Sequence, residues 1–313
     1  MKTVFIHETV LKTEAVNGLD IRPDGIYVDC TLGGAGHSQL IAKQLNSNGI
    51  LIGLDQDSYA LEHAKEKLQR VSCQVYLVRT NFRHIQQAVD QLEINKVDGI
   101  LFDLGVSSPQ LDLGERGFSY HQEAPLDMRM DIDQEFSAYH VVNEWTEEEI
   151  ARILFEYGEE KFSRRIAREI IQQRTKEPIT STLQLVEIIK KAIPAPARRT
   201  GPHPARRTFQ AIRIAVNDEL NAFRQALEQS VSILKPEGRI SVITFHSLED
   251  RICKKFFQEQ ARGCICPPSF PVCTCHQMPI MRIITKKPII PTEDEIERNQ
   301  RARSAKLRVA EKI

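Results

Sequence analysis

The first hundred residues predict a doubly wound α/β fold, in which helices cover both faces of a mostly parallel sheet. Short apolar runs alternate with helix-forming segments, a glycine-rich turn follows the first run, and an aspartate lies at or next to the end of three of the runs. The apolar runs lie at residues 26–29, 50–54, 75–78 and 99–104, and the helical segments lie at 38–45, 59–68 and 84–92. This alternation indicates parallel strands joined by helical crossovers. Ligands of such sheets bind at the carboxyl ends of the strands.

The glycine-rich turn is typical of a nucleoside cofactor site. Gly33, Gly34 and Gly36 have no Cβ atom, so the backbone can turn tightly and a ligand can lie against it. In dinucleotide-binding proteins the next helix faces a pyrophosphate, and an acidic residue about 20 positions later binds the ribose. Asp55 suits the ribose role, but the Gly-Gly-x-Gly spacing differs from the dinucleotide pattern Gly-x-Gly-x-x-Gly.

The charges around this turn favour S-adenosylmethionine over NAD. Asp29, Asp55 and Asp103 each end a predicted strand near the turn. A carboxylate at Asp29 repels a pyrophosphate and attracts a cationic group, because like charges in a site repel. S-adenosylmethionine has an ammonium group, a sulfonium group and a ribose diol but no phosphate. The alternative is three solvated aspartates in an ordinary α/β sheet.

Asp103 begins the sequence Asp-Leu-Gly-Val-Ser-Ser-Pro-Gln, which follows a predicted core strand. Enzymes that methylate amines often have Asp-Pro-Pro-Tyr at this point, and Gln110 takes the place of an aromatic residue that would stack on the base. An exocyclic amine is a poor nucleophile, so acceptors for its N–H groups and in-line alignment assist its attack. Asp103, Ser107 and Ser108 could supply such acceptors. A plain strand-to-loop turn stays the alternative.

His246 follows the predicted strand 239–245 and would emerge at the same sheet edge as Asp103. A strand-end position favours a functional histidine. A lone histidine is as compatible with a structural role, so both interpretations stay open.

A basic segment indicates nucleic-acid binding. Residues 190–217 include no acidic residue, and their arginines are Arg198, Arg199, Arg206, Arg207 and Arg213. Such a segment suits a phosphate backbone, although a solvated basic loop has the same composition.

The α/β pattern stops after Pro109 and resumes after a predicted long helix over 208–234. The sequence therefore predicts a helical substrate-recognition domain at 111–207, inserted between methyltransferase-domain parts at 1–110 and 208–313.

Four cysteines form a Cys-x-Cys-x₆-Cys-x-Cys pattern at Cys264, Cys266, Cys273 and Cys275. Four thiolates can bind zinc tetrahedrally. Paired zinc ligands usually have two or more residues between them, so this spacing is tighter than usual. The alternatives are a structural zinc site and reduced thiols without a ligand.

Composition limits the class of protein. Hydrophobic residues make up 41% of the 313-residue chain and charged residues 27%, which fits a globular protein. The 42 basic and 42 acidic side chains balance, so any attraction for nucleic acid is local. No run of 18 apolar residues predicts a membrane span, and no secretory signal is evident, so we expect a cytoplasmic protein with no membrane partner. The oligomeric state is left open.

Long stretches of the chain resemble the bacterial 16S ribosomal RNA cytosine-N4 methyltransferase family, RsmH or MraW. They are residues 7–37, 98–130, 203–217, 244–251 and 301–309. The resemblance implies S-adenosylmethionine-dependent methylation of the N4 amine of one cytidine in the decoding region of small-subunit rRNA. It implies a class I methyltransferase fold with an inserted helical domain, and the small ribosomal subunit or an assembly intermediate as partner.

By position, the resemblance also implies cofactor contacts from one loop and four further residues. They are Gly34, Ala35, Gly36, His37, Asp55, Phe82, Asp103 and Gln110. It implies that Asp55 holds the ribose diol, that Phe82 lies near the adenine, and that Asp103 and Gln110 flank the methionine part and the target base. The cysteine cluster departs from some relatives of the family.

Overall fold

A computed structural model describes residues 9–106, 114–199, 201–264, 266, 272, 274–275 and 277–313. Ser107, Ser108, Gln110 and Cys273 lie outside the described residues. The chain divides into two compact units. The first comprises Met1–Gly105 and Leu220–Ile313, and the second comprises Val106–Glu219. No helix in the described part of the chain is both long enough and apolar enough to cross a bilayer.

In the first unit, the described residues form one seven-stranded sheet in the order β3-β2-β1-β4-β5-β7-β6. Its strands are β1 (Ile26–Asp29), β2 (Ile50–Asp55), β3 (Gln74–Arg79), β4 (Val97–Asp103), β5 (Leu234–Thr244), β6 (Met281–Ile283) and β7 (Lys306–Lys312). Strands β1 to β5 pair in parallel, while β7 runs antiparallel to both β5 and β6. The parallel core of the predicted fold is therefore confirmed.

Helices cover both faces of this sheet. They are α1 (Lys12–Gly18), α2 (Gly36–Gln44), α3 (Ser58–Lys67), α4 (Ile85–Asp90), α11 (Glu219–Ile233), α12 (Ser247–Gln260) and α13 (Glu293–Arg298). Alternate strand residues point to opposite faces, since side chains in a strand have a period of two. Tyr27 and Leu101 pack with α1 and α2, whereas Val28 and Phe102 pack with α4, α11 and α12. These strands are buried on both faces, which explains their continuous apolar runs.

The second unit is helical in its described part. Its helices are α5 (Ala138–Glu144), α6 (Glu147–Glu156), α7 (Ser163–Arg174), α8 (Thr182–Ala192), α9 (Ala195–Arg198) and α10 (Arg206–Asn217). Helix α6 begins with a capping box at Thr146. The Thr146 hydroxyl accepts the Glu149 N–H at 3.2 Å, and the Glu149 carboxylate accepts the Thr146 N–H at 2.8 Å. The unit has its own core, which includes Ile150, Ile166 and Ile212.

The predicted long helix over 208–234 is wrong. The helix breaks at Asp218, which has a left-handed φ of 49°, and α10 and α11 lie on either side. Asn217 secures the break: its Oδ1 accepts the Met130 N–H at 2.8 Å, and its Nδ2 donates to the Met128 carbonyl at 2.8 Å. Strand β5 also begins earlier than predicted, at Leu234, with a register shift between Val97 and Gly99 of β4.

Candidate active site

The turn between β1 and α2 is built by a tight backbone. Gly33 and Ala35 both have left-handed φ values, of 43° and 57°, and the Ala35 N–H donates to the Leu32 carbonyl at 2.6 Å. A Cβ atom added to Gly36 would lie 1.8 Å from Oγ1 of Thr9. Glycine is therefore required at Gly36 because another part of the chain lies against it, and not for its dihedral freedom.

Asp29 secures this turn from the end of β1. Its Oδ2 accepts the Ser38 hydroxyl at 2.6 Å, and its Oδ1 accepts the Thr31 N–H at 3.2 Å. Only 1% of the residue is exposed, and burial raises its pKa. Its hydrogen bonds therefore serve the turn.

Asp55 holds the same turn from the end of β2. Its Oδ2 accepts the Gly33 N–H at 2.9 Å, and its Oδ1 accepts the Asp57 N–H at 2.9 Å. Burial raises the pKa of Asp55 to about 6, although these two hydrogen bonds oppose the shift. A carboxylate oxygen has two lone pairs, so each oxygen keeps capacity for a hydroxyl donor.

Phe82 lies just after β3, on the side of Asp55. The Thr80 N–H, two residues earlier, donates to the Asp55 carbonyl at 3.0 Å. The half-buried Phe82 ring meets Phe102 edge to face, with a centroid distance of 5.9 Å. An aromatic ring at this end of the sheet could pack against an adenine.

Asp103 ends β4 with an unsatisfied oxygen. Its N–H donates to the Thr31 hydroxyl at 2.6 Å, which ties β4 to the turn after β1. Its Oδ1 is buried and makes no hydrogen bond to any described residue. Burial raises the pKa of Asp103 well above its usual range, and the charges of Asp29 and Glu249 raise it further. A buried polar atom without a partner is uncommon and indicates a functional site.

His37 lies next to Asp103 at the start of α2. Its Nε2 lies 3.1 Å from the Val10 carbonyl, which can only accept, so Nε2 donates there. Its Nδ1 lies 3.6 Å from Oδ2 of Asp103. In the neutral tautomer with Nε2 protonated, Nδ1 faces Oδ2 of Asp103 with its lone pair.

His246 and Glu249 lie at the start of α12, after β5. The buried Glu249 carboxylate accepts the N–H groups of Phe245 at 2.8 Å and His246 at 3.2 Å. Nε2 of His246 lies 3.0 Å from Oε1 of Glu249, a contact that is ionic only when the imidazole is protonated. His246 thus lies beside an acid that acts electrostatically on Asp103.

The sequence did not single out Glu249 or Thr31. Glu249 follows His246 by three positions, which is the spacing of a helix capping box, and that pattern could have identified it. Thr31 has no such pattern, because its hydroxyl meets Asp103 only in the folded sheet. Ser107, Ser108 and Gln110 belong to the undescribed part of the chain.

Part of the positive charge of the basic segment 190–217 is neutralised by ion pairs in the folded second unit. Lys190 pairs with Glu187 at 2.7 Å, Lys191 with Glu169 at 2.7 Å, and Arg213 with Glu219 at 2.8 Å. These acids lie outside residues 190–217. Arg213 is mostly buried in its pair, so its guanidinium is committed to Glu219 rather than to a phosphate.

The remaining arginines of the segment are exposed. They are Arg198, Arg199, Arg206 and Arg207. Arg207 Nη1 donates to the backbone carbonyl of Glu159 at 3.2 Å. A carbonyl has no net charge, so this hydrogen bond does not neutralise the Arg207 guanidinium. Nearby in the same unit, Tyr120 stacks on His203 with a centroid distance of 4.7 Å.

Three of the four predicted metal ligands lie together. The Sγ atoms of Cys264, Cys266 and Cys275 all lie within 4.8 Å of one another. Cys273, the fourth, lies in the part of the chain that the structure does not describe. Hydrogen bonds from Thr274 lower the pKa of the Cys266 thiol.

The ends of β1, β4 and β5 are acidic, because Asp29, Asp103 and Glu249 lie there. Each of these groups, when ionised, acts strongly on a ligand, because a low-dielectric setting strengthens electrostatic interactions. A diphosphate would be repelled there, whereas a cationic ligand would be attracted. The sheet order with its antiparallel β7, the glycine turn and the acidic strand ends define a class I S-adenosylmethionine-dependent methyltransferase fold.

Comparison with known proteins identifies the family. The MraW methylase family matches residues 4–313, and the chain belongs to that family. A similar relative is the ribosomal RNA small subunit methyltransferase H of Brevibacillus brevis strain 47. It is 65% identical over 309 residues, which cover 99% of this chain and 98% of the relative. The resemblance drawn from the sequence motifs is therefore confirmed.

Solved structures with lower similarity include an rRNA methylase from Streptococcus thermophilus. It is 10% identical with a TM-score of 0.43, and the match covers 98% of this chain and 99% of that one. A SAM-dependent O-methyltransferase from Thermotoga maritima is 10% identical with a TM-score of 0.40, and the match covers 98% of this chain and 67% of that one.

Proposed function

We propose that this protein transfers the methyl group of S-adenosylmethionine to the N4 amine of a specific cytidine in the decoding region of 16S ribosomal RNA. Membership of the MraW methylase family and the name of the Brevibacillus brevis relative support an rRNA methyltransferase. The resemblance of the sequence motifs supports the finer assignment to cytosine N4.

The observation that carries the proposal is the buried, unsatisfied Oδ1 of Asp103. It lies at the end of a central strand, beside a glycine turn and two further buried carboxylates. An amine N–H is the donor that such an oxygen requires, and a sulfonium is the charge that such a crevice favours. These two needs together match a methyl donor of this type and an amine acceptor.

By the resemblance, residues of the first unit would bind the separate groups of the cofactor. Asp55 would accept from the ribose hydroxyls, Phe82 would lie near the adenine, and the turn Gly34-Ala35-Gly36-His37 would face the methionine part. Gln110 would join Asp103 beside the methionine part and the target base. S-adenosylmethionine supplies a methyl group on an electrophilic sulfonium when bound.

The remaining chemistry belongs to side chains that receive the amine. Asp103 Oδ1 would accept one N–H of the cytosine amine, and the hydroxyls of Ser107 and Ser108 would offer further acceptors. Such acceptors draw the nitrogen toward tetrahedral geometry and hold it in line for attack. His246, beside Glu249, would position the nucleobase or the loop that carries it.

We propose that the Val106–Glu219 unit corresponds to the predicted substrate-recognition insertion at 111–207. Its exposed arginines would contact phosphates that flank the target. The cytidine would be splayed out of its stack, because a base that is stacked and paired in an RNA helix cannot enter a buried pocket. The small ribosomal subunit or its assembly intermediate would be the partner, in the cytoplasm.

Ligand binding and methyl transfer together test this function. Purified protein should bind S-adenosylmethionine but not NADH in a calorimetric titration. It should also transfer labelled methyl groups to small subunits isolated from a strain that lacks the gene. Preferential NADH binding would indicate an oxidoreductase instead. Binding of rRNA without any methyl transfer would indicate a non-catalytic assembly factor.

A further inference from the structure

We propose that Cys264, Cys266 and Cys275 bind a structural zinc ion between α12 and β6. This site lies in the first unit and is separate from the residues assigned to methyl transfer. The zinc proposal does not depend on the proposed methyl-transfer function.

The sulfur positions match tetrahedral metal binding. Sγ of Cys275 lies 3.8 Å from Sγ of Cys264, and the three thiols all lie within 4.8 Å of one another. Sulfurs about 2.3 Å from a shared zinc ion lie about 3.8 Å apart in a tetrahedron. A disulfide requires about 2.05 Å, so the arrangement fits a shared ion better than a pair of bonded sulfurs.

The backbone near the cysteines also suits a thiolate. The Thr274 N–H donates to Sγ of Cys266 at 3.3 Å, and the Thr274 hydroxyl lies 3.5 Å from the same sulfur. Hydrogen bonds of this kind orient metal-bound sulfurs and stabilise their negative charge. Soft thiolate ligands select zinc over magnesium or calcium, which prefer oxygen.

The described residues of this segment have no core of their own. None of the residues described between 261 and 279 is buried, and none of them lies in a helix or strand. Val272 and Met278 are 71% and 76% exposed. The ends of the segment meet through the Ile280 N–H, which donates to the Gln260 carbonyl at 2.9 Å. A metal ion bound by the three cysteines would hold these described residues together.

Metal analysis of the full-length protein tests the site. Protein purified under argon with reductant should retain stoichiometric zinc, and cobalt added to chelated protein should give thiolate charge-transfer absorption. Cys264→Ser, Cys266→Ser and Cys275→Ser should each lower metal affinity at least tenfold. Cys73→Ser, at a buried thiol of the same unit, should bind zinc as the wild type does.

Limited trypsin digestion gives a second measurement on the unmodified chain. Cleavage after the exposed Arg262 should be slow in zinc-loaded protein and at least tenfold faster after chelation. Protein without zinc, iron in its place, a disulfide found by mass in protein kept reduced, or equal cleavage in both states would overturn the proposal.

Discussion

Asp103 is the residue on which the proposed function depends most. Its raised pKa follows from burial beside Asp29 and Glu249, so the free protein holds a carboxyl group that resists ionisation. A cationic cofactor would lower that pKa, because an opposite charge favours the ionised form. Under the proposed function, cofactor binding therefore prepares Asp103 as an acceptor for the amine.

Replacement of Asp103 separates chemistry from folding. Asp103→Asn should lower kcat by about 10²-fold or more, since one positioned polar group in an active site has this value. The thermal midpoint should stay the same or rise, because the substitution removes a buried acid. Methyl transfer at the wild-type rate would contradict the role of Asp103, and Asp103→Ala should lose activity in the same way.

Asp55 predicts how cofactor affinity depends on pH. Its pKa is raised to about 6, and ribose hydroxyls donate best to the ionised carboxylate. Affinity for S-adenosylmethionine should be constant above pH 7 and fall below about pH 6, by up to tenfold per pH unit. Calorimetry from pH 5 to 8 measures this.

Asp55→Asn is the control, because it should bind more weakly and lose the pH dependence of the wild type. In the free protein, the contribution of Asp55 to folding stability changes with pH in the opposite direction to cofactor affinity. A raised pKa in the folded state gives stability that is full below the ordinary value and is lost as pH rises through about 6. An identical pH profile of cofactor affinity in both proteins would exclude Asp55 as the titrating group.

At the scale of elements, the β1–α2 turn is fixed by contacts from several parts of the chain. Thr9 lies against Gly36, Asp55 accepts from Gly33, and the Lys67 ammonium donates to the Gly34 carbonyl at 2.8 Å. The turn is therefore rigid before any ligand arrives, which reduces the entropy cost of binding.

Gly36→Ala tests that contact. The added methyl group would meet Thr9 at 1.8 Å, and the shift it forces should cost about 1–3 kcal/mol of unfolding free energy together with cofactor affinity. The double variant Thr9→Gly/Gly36→Ala should recover much of both. Denaturant unfolding and calorimetry measure the two effects, and a Gly36→Ala protein as stable as wild type would contradict the contact.

The basic segment makes a prediction about RNA binding. Arg198→Ala/Arg199→Ala should weaken binding to a 16S rRNA fragment and reduce the slope of log K against log salt by about 1 for each arginine. Fluorescence anisotropy at several salt concentrations measures the slope.

Arg213→Ala is the matched control from the same segment. It removes the partner of Glu219 in a mostly buried pair, so it should lower the thermal midpoint and leave the salt slope unchanged. A larger slope change for Arg213→Ala than for the double variant would reverse the assignment of the phosphate contacts.

At the scale of the whole molecule, periodicity in the sequence predicted the elements with local causes. The parallel strands and the helices near residues 38–45, 59–68 and 84–92 all follow from apolar runs and helix-forming segments. The antiparallel β7 was not predicted, because residues 301–309 stood out only as part of a family motif. In the fold, Arg308 and Lys306 pair with Asp250, at 2.7 and 3.1 Å.

Only those parts of the candidate site that local sequence patterns reveal could be predicted. Strand-end aspartates are visible in sequence, so Asp55 and Asp103 were found. Tertiary pairings are not, so the paired state of Arg213, the neighbourhood of Thr31 and Asp103, and the break at Asp218 required coordinates. Residues 190–217 lacked acids in sequence, yet acids from other helices neutralise part of their charge.

Mass mapping of rRNA nucleosides tests the central claim most directly. Small-subunit rRNA from cells with the gene should contain N4-methylated cytidine at one position in the decoding region. Cells that lack the gene, or that carry only Asp103→Asn, should contain unmodified cytidine there. The same methylated cytidine in all three strains, or a methyl group on another nucleotide that depends on the gene, would contradict the account.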